Sequence, residues 1–197
     1  MIVVTTPMCK EIVEWAGLAD FKVNKHPDNE DGDFAILLSE SKTDMDSLAI
    51  KLNTYSQIAQ SIIAVSNSLN DKGLIEDRVS YDDVNRIFED LDSEFINSWF
   101  EDMDEIRNNN SNKPVKVYSE FLKDIVKDIG AKIIDTKAVD GYDYVVYPDY
   151  LIDKVKSSED FNDVSLTFIE IPTHGNVSKS PVERAKQRYS ILINSLQ

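Results

Sequence analysis

Met1-Ile2-Val3-Val4-Thr5-Thr6-Pro7-Met8-Cys9-Lys10 opens the chain, and its reading sets the frame for everything after it. Ile2, Val3 and Val4 suit a short buried strand that runs directly into a helix. Thr6 suits the N-cap and Pro7 the first helical position, where a missing N–H has no intrahelical partner to lose. That placement puts Cys9, the only cysteine, at the third helical position. Thr43 with Asp46, Ser80 with Asp83, and Ser180 with Glu183 mark further expected helix starts, each a hydroxyl residue followed by an acid at capping-box spacing. Where those helices place a carboxylate, the first one places a thiol. First-turn N–H groups and the positive end of the helix dipole favour a thiolate, the reactive form of cysteine. Cys9 thus reads either as a nucleophile or as a free cysteine that simply packs.

Composition bounds the rest. With 197 residues, 42% hydrophobic and 9% aromatic, the chain suits a single α/β domain over 1–197 with a proper core. A net charge of −15 argues against a nucleic-acid partner, because phosphate-backbone affinity rests on Lys and Arg. No signal pattern and no membrane-spanning apolar run is present, so a cytoplasmic protein without a membrane partner is expected. His26 and His174 lie far apart, with no paired-ligand spacing, and no metal is expected.

Along the chain, Phe21-Lys22-Val23-Asn24 reads as an edge strand and His26 to Asp33 as an acidic, turn-rich loop. Phe34 to Ser39 is nearly all apolar, the mark of a strand covered on both faces. A long helix is expected from about Asp44 to Leu69, on the spacing of Leu48, Leu52, Tyr55, Ala59 and Ile62. Helical period returns from Ser80 to Arg107, with Val84, Phe88, Phe95, Trp99 and Met103 on one stripe and acids opposite. This acidic helical insertion, at about 74–112, ends in the polar linker Asn108 to Asn112. Its stripe suits either a sheet cover or a homo-oligomer contact, and its acids suit a solvated face, a divalent-metal site or a basic partner. From Val115 a helix is expected through Tyr118, Phe121, Leu122, Ile125 and Ile129, closed by Gly130. Strands follow at Lys132–Ile134, Tyr142–Tyr147 and Val164–Ile171, with a short helix between and a basic helix from Pro181 to about Leu196. Strands separated by helices imply an α/β fold with a mainly parallel sheet and helices on both faces. No internal repeat is visible.

In such sheets ligands bind beyond the carboxyl ends of the strands, where strand order reverses. The segments expected there are Thr5 to Lys10, Ser39 to Thr43 with Ser41 and Lys42, Tyr147 to Asp149, and Pro172 to Lys179. The last offers Thr173, His174, Gly175, Asn176 and Lys179, which suit a phosphate or a polar heterocycle and equally suit an ordinary turn. Lys179, Arg184, Lys186 and Arg188 outnumber Glu183 from Pro172 to Tyr189, a local excess of cations suited to an anion or to offsetting the acidic remainder. The P-loop, dinucleotide-turn and nucleophile-elbow motifs are all absent, so a thiolate that acylates needs a carboxyl activated elsewhere. His174 is the candidate general base.

On the stretch Met1 to Cys9, the chain resembles the HcgF family, which helps build the iron-guanylylpyridinol cofactor of the mono-iron hydrogenase in methanogenic archaea. The resemblance implies that guanylylpyridinol is the ligand and that an adenylating partner enzyme activates its carboxyl. It also implies that a protein cysteine, matched here by Cys9, takes the acyl group as a thioester, a precursor of the acyl–iron ligand. No permanently bound cofactor is implied. Substrate contacts are expected from Thr6, Met8, Lys10, Ser41, Lys42, Thr173, His174, Gly175, Asn176 and Lys179, with Thr6, Lys10 or first-turn N–H groups stabilising the oxyanion. The alternatives are a non-catalytic guanylyl-ligand carrier and a metal-dependent nucleotide hydrolase.

Overall fold

The computed structural model describes residues 1–135, 137, 141–173 and 177–196, with the side chains of 92–101 excepted. Short apolar strands alternate with helices, and every strand pair is parallel. They form two four-stranded sheets, ordered β2-β1-β3-β4 and β6-β5-β7-β8. The chain divides into two compact units, residues 1–96 with 179–183 and residues 97–178 with 184–197. One sheet with a helical insertion is the sequence expectation; the structure instead has two sheets of one strand order. Repetition therefore exists in topology although none is visible in sequence, because the order needs only apolar strands and crossover helices, which VVT and PVKV both satisfy.

In the first unit, β1 (Val3–Thr5) lies between β2 (Lys22–Val23) and β3 (Phe34–Leu38), with Val4 opposite both Lys22 and Ala35. The outer strand β4 (Asp46–Ile50) pairs with β3 along its whole length. Helix α1 (Lys10–Trp15) packs against α2 (Tyr55–Asp71), burying Ile12 and Val13 with Ile58, Ile62, Val65 and Leu69. The expected helix from Asp44 is therefore corrected to a strand followed by a shorter helix. The cap residue is Thr54 rather than Thr43. Thr54 Oγ1 accepts the Gln57 N–H at 3.1 Å, and Gln57 Oε1 accepts the Asn53 N–H at 3.1 Å. Thr43 turns instead to Asp28, to which its hydroxyl donates at 2.5 Å.

Helix α3 (Tyr81–Asn110) starts on the expected box, with Asp83 Oδ2 accepting from the Ser80 N–H at 2.9 Å and the Asp83 N–H donating to Ser80 Oγ at 3.2 Å. Val84, Phe88 and Met103 of its stripe are buried, while Phe95 and Trp99 lie outside the described side chains. Asn108 to Asn110, expected as linker, are helical, because tertiary partners override weak propensity. Arg107 Nε donates to the Asp128 carbonyl at 2.9 Å, and Asn110 Nδ2 to that of Ile129 at 3.1 Å. Gly130 closes α4 (Glu120–Asp128) at φ +83°, where a Cβ would stand 2.6 Å from the Arg107 carbonyl oxygen.

The second unit's central strand β5 (Pro114–Val117) replaces the start of the helix expected from Val115. It pairs with β6 (Lys132–Ile134) and β7 (Tyr144–Pro148), and β8 (Thr167–Ile171) closes the far edge. Two short turns of 3₁₀ helix and α5 (Ile152–Lys156) connect β7 to β8, and α6 (Pro181–Ser195) ends the chain. Among the described residues, no helix is long and apolar enough to cross a membrane.

Candidate functional site

Strand order in the first unit reverses between β1 and β3, and a cleft of about 440 Å³ opens beyond the carboxyl ends of β1, β2 and β3. Thr6 lines it after β1, Lys25, His26, Pro27, Asp28 and Asn29 after β2, and Ser41 and Lys42 after β3. Local bonds shape the β2 loop. The His26 N–H donates to Asn24 Oδ1 at 2.9 Å, and the Asn29 N–H to the His26 carbonyl at 3.0 Å. Asp28 ties this loop to the one after β3, accepting from Thr43 Oγ1 and, at 3.1 Å, from the Asp44 N–H. Of the two lining lysines and one lining acid, only the acid is committed to these bonds, so the wall is net positive and suits an anion.

Cys9 stands at the β1–α1 turn, and its N–H donates to the carbonyl of the cleft residue Thr6 at 3.0 Å. That bond closes a turn from Thr6, so the helix begins at Lys10 and Cys9 is its N-cap, not its third residue. Its thiol makes no side-chain cap bond and has no exposed surface. Helix α1 is only six residues long, which reduces the dipole expected to act on the thiol.

Of the other expected contacts, Thr6, Ser41 and Lys42 share the cleft wall, whereas Met8 and Lys10 are not in it. Lys10 is exposed and pairs with Glu14 at 3.2 Å. Thr173 belongs to the second unit, where its N–H donates to Asp149 Oδ2 at 3.0 Å and its hydroxyl to Asp149 Oδ1. Lys179 belongs to the first unit and is exposed. His174, Gly175 and Asn176 lie outside the described residues. Sequence reading missed the loop Lys25 to Asn29 because its turn residues read as surface. Applying the strand-end rule to the short strand Lys22–Val23 would have found it.

The second unit contains an ionic cluster that no motif announced. Lys116, on central β5, is buried and pairs with Asp160 at 2.8 Å; its Nζ also donates to the Tyr142 hydroxyl at 3.1 Å. Asp160 accepts from the hydroxyls of Tyr142 at 2.6 Å and Tyr118 at 3.0 Å. Burial pushes the Asp160 carboxyl up, yet bonds from Lys116, Tyr142 and Tyr118 outweigh it and leave the carboxyl below its ordinary value. For Lys116 burial acts downward, and Asp160 and Tyr142 carry the net shift upward. With every member bonded to another, the cluster reads as a structural pair.

No family model and no curated protein matches this sequence. Among solved structures, the chain is similar to the Cd-bound periplasmic metal binding protein from Candidatus Liberibacter asiaticus, with 7% identity, a TM-score of 0.62 and all of both chains covered. It is similar to the laminin-binding protein Lbp of Streptococcus pyogenes at 10% identity and TM-score 0.62, covering 100% of this chain and 99% of that one. The periplasmic zinc binding protein TroA from Treponema pallidum gives 8% identity and TM-score 0.56, with 99% and 98% covered. These likenesses are of fold. Among the described residues, no group of three or more His, Cys, Asp or Glu side chains is placed to hold a metal ion.

Proposed function

We propose that the protein binds guanylylpyridinol through the first unit's cleft and takes its adenylate-activated carboxyl on Cys9 as a thioester. The observation that carries this reading is the cleft itself. It is a net-positive wall in a chain of charge −15, at the reversal of strand order, with a lining residue hydrogen-bonded to the backbone of the only cysteine. Lys25 and Lys42 would attract the ligand's phosphate, and Ser41 and Asn29 would hydrogen-bond its polar groups. In the acyl step the Cys9 thiolate attacks the carbonyl carbon of the acyl adenylate. The C–S bond forms, the C–O bond to AMP breaks, AMP departs with the electron pair, and the thiol proton passes to solvent. Because Cys9 has no exposed surface, this reading needs the β1–α1 turn to move before the thiol can meet the carbonyl carbon.

The same burial favours a second reading, a carrier that holds the ligand without chemistry while Cys9 packs. One experiment separates them. The protein is incubated with guanylylpyridinol, ATP and the adenylating enzyme, then weighed intact. The first reading expects a gain of one ligand mass less water, mapped to Cys9 and absent from Cys9→Ser. Unmodified protein in the presence of proven adenylate, with calorimetric binding of guanylylpyridinol intact, supports the carrier; no binding by either method sinks both.

A further inference from the structure

The two lysines of the first unit's cleft stand on loops that are held in different ways. The order β2-β1-β3 puts the loops after β2 and β3 on either side of the end of β1, with Lys25 on the first and Lys42 on the second. The β2 loop fastens itself. Pro27 is buried and opens a single 3₁₀ turn, in which the Asn29 N–H donates to the His26 carbonyl at 3.0 Å and the Glu30 N–H to that of Pro27 at 2.9 Å. Asn24 braces both ends of the loop, accepting the His26 N–H and donating through Nδ2 to Glu30 Oε1 at 2.7 Å.

The β3 loop is fastened by its neighbour. The Ser41 N–H returns to the Leu38 carbonyl at 2.9 Å, which holds the near side of Lys42. On the far side, the bonds that Thr43 and Asp44 make outside their own loop, among the described residues, both end on Asp28 Oδ1. The Thr43 hydroxyl donates to it at 2.5 Å and the Asp44 N–H at 3.1 Å. Thr43 Oγ1 in turn accepts the Met45 N–H at 3.2 Å, next to the first residue of β4. Asp28 thereby holds the backbone beside Lys42, while its charge opposes any anion that enters the cleft. These effects have opposite signs. The charge is exposed and screened by water and salt, whereas a loop held ready for its ligand loses little freedom when the ligand arrives.

We propose that Asp28 and Thr43 are positioning residues for anion binding: their bond across the end of β1 holds Lys42 on the far side of the cleft from Lys25, so that an acid in the wall raises its affinity for a phosphate-bearing ligand. This rests on the ligand-binding half of the function proposed above and is independent of the Cys9 chemistry.

The test is calorimetric titration of the whole chain with guanylylpyridinol. Thr43→Val keeps every charge and cuts the tie, and it is expected to weaken binding about threefold to tenfold, with Thr43→Ser restoring it. Asp28→Ala is expected to weaken binding too, although it removes a negative charge from the site of an anion. Lys42→Gln should cost less affinity in the Thr43→Val background than in the wild type, because the lysine is then no longer held. A tie that served the loop's stability alone would lower the melting temperature and leave both affinity and this coupling unmoved. Wild-type affinity in Thr43→Val, tighter binding in Asp28→Ala, or strictly additive losses in the double variant each overturn the proposal and leave the cleft's ligand standing. A wild type that does not bind guanylylpyridinol overturns both.

Discussion

In the first unit the cations at the carboxyl edge of the sheet, Lys25 and Lys42, are exposed and keep their hydration. In the second unit, Arg184, Arg188 and Lys116 are buried under the same strand order. Lys116 has a carboxylate and a phenol against it, while Arg188 has an aromatic face and a donor that no described residue accepts. The contrast shows how little topology says about charge. One sheet order supports a solvated positive wall, a completed internal ion pair and a buried guanidinium with an unused donor, and only the last carries an uncompensated cost in stability.

The largest expected effect comes from breaking the completed pair. Asp160→Asn leaves Lys116 buried without its counter-charge and should cost about 3–5 kcal/mol in urea unfolding at neutral pH. Because Asp160 titrates lower in the folded chain than in the unfolded one, its contribution is present above the unfolded carboxyl pKa of about 4 and fades as pH falls through the folded value. The gap between wild type and variant should therefore narrow in acid. A gap constant with pH would remove the ion pair from the comparison.

Arg188→Leu should act in the opposite direction, raising stability by about 1–4 kcal/mol, as apolar replacement of poorly compensated buried charge does. A destabilised Arg188→Leu would mean that the guanidinium is already satisfied and that the two buried cations are alike.

A smaller loss, about 0.5–2 kcal/mol, is expected for Thr54→Ala, which removes the cap of α2. Thr43→Ala should leave that helix untouched, and equal losses in the two variants would return the helix start to Thr43. The smallest effect is on the exposed wall: Lys42→Gln should change stability by less than about 0.5 kcal/mol while weakening guanylylpyridinol binding. Thermal melts and calorimetric titration on one preparation check both halves.

These expectations depend on what the sequence discloses and what it hides. Parallel strands between helices were legible in Phe34–Leu38 and Tyr144–Pro148, because strands covered on both faces lack polar alternation. The strand Asp46–Ile50 was not. It is an edge strand, exposed along much of its length, and Leu48 and Leu52 continue the helical spacing of the real helix after it. The box at Ser80 and Asp83 was readable because hydroxyl and acid stand three positions apart just ahead of a helical stripe. Thr54 with Gln57 went unnoticed because the same spacing was credited to an earlier threonine. The cleft was legible through Thr6, Ser41 and Lys42 but not through Lys25 and His26, which follow a strand of two residues. Nothing local announces the Lys116 cluster, since Asp160 reaches it from 44 positions away, a separation set by the fold alone.

The outer strands of the first sheet have one more consequence. β2 pairs over only two residues, and β4 carries exposed Asp46 and Ser47, with Asp46 drawn to Lys72 at 3.5 Å. A strand from a second molecule would find too short a template on one side and a carboxylate on the other. Crowded or partly refolded chains should thus resist growing into fibrils from this sheet, and its self-association would have to proceed through side-chain surfaces rather than by shared backbone hydrogen bonds.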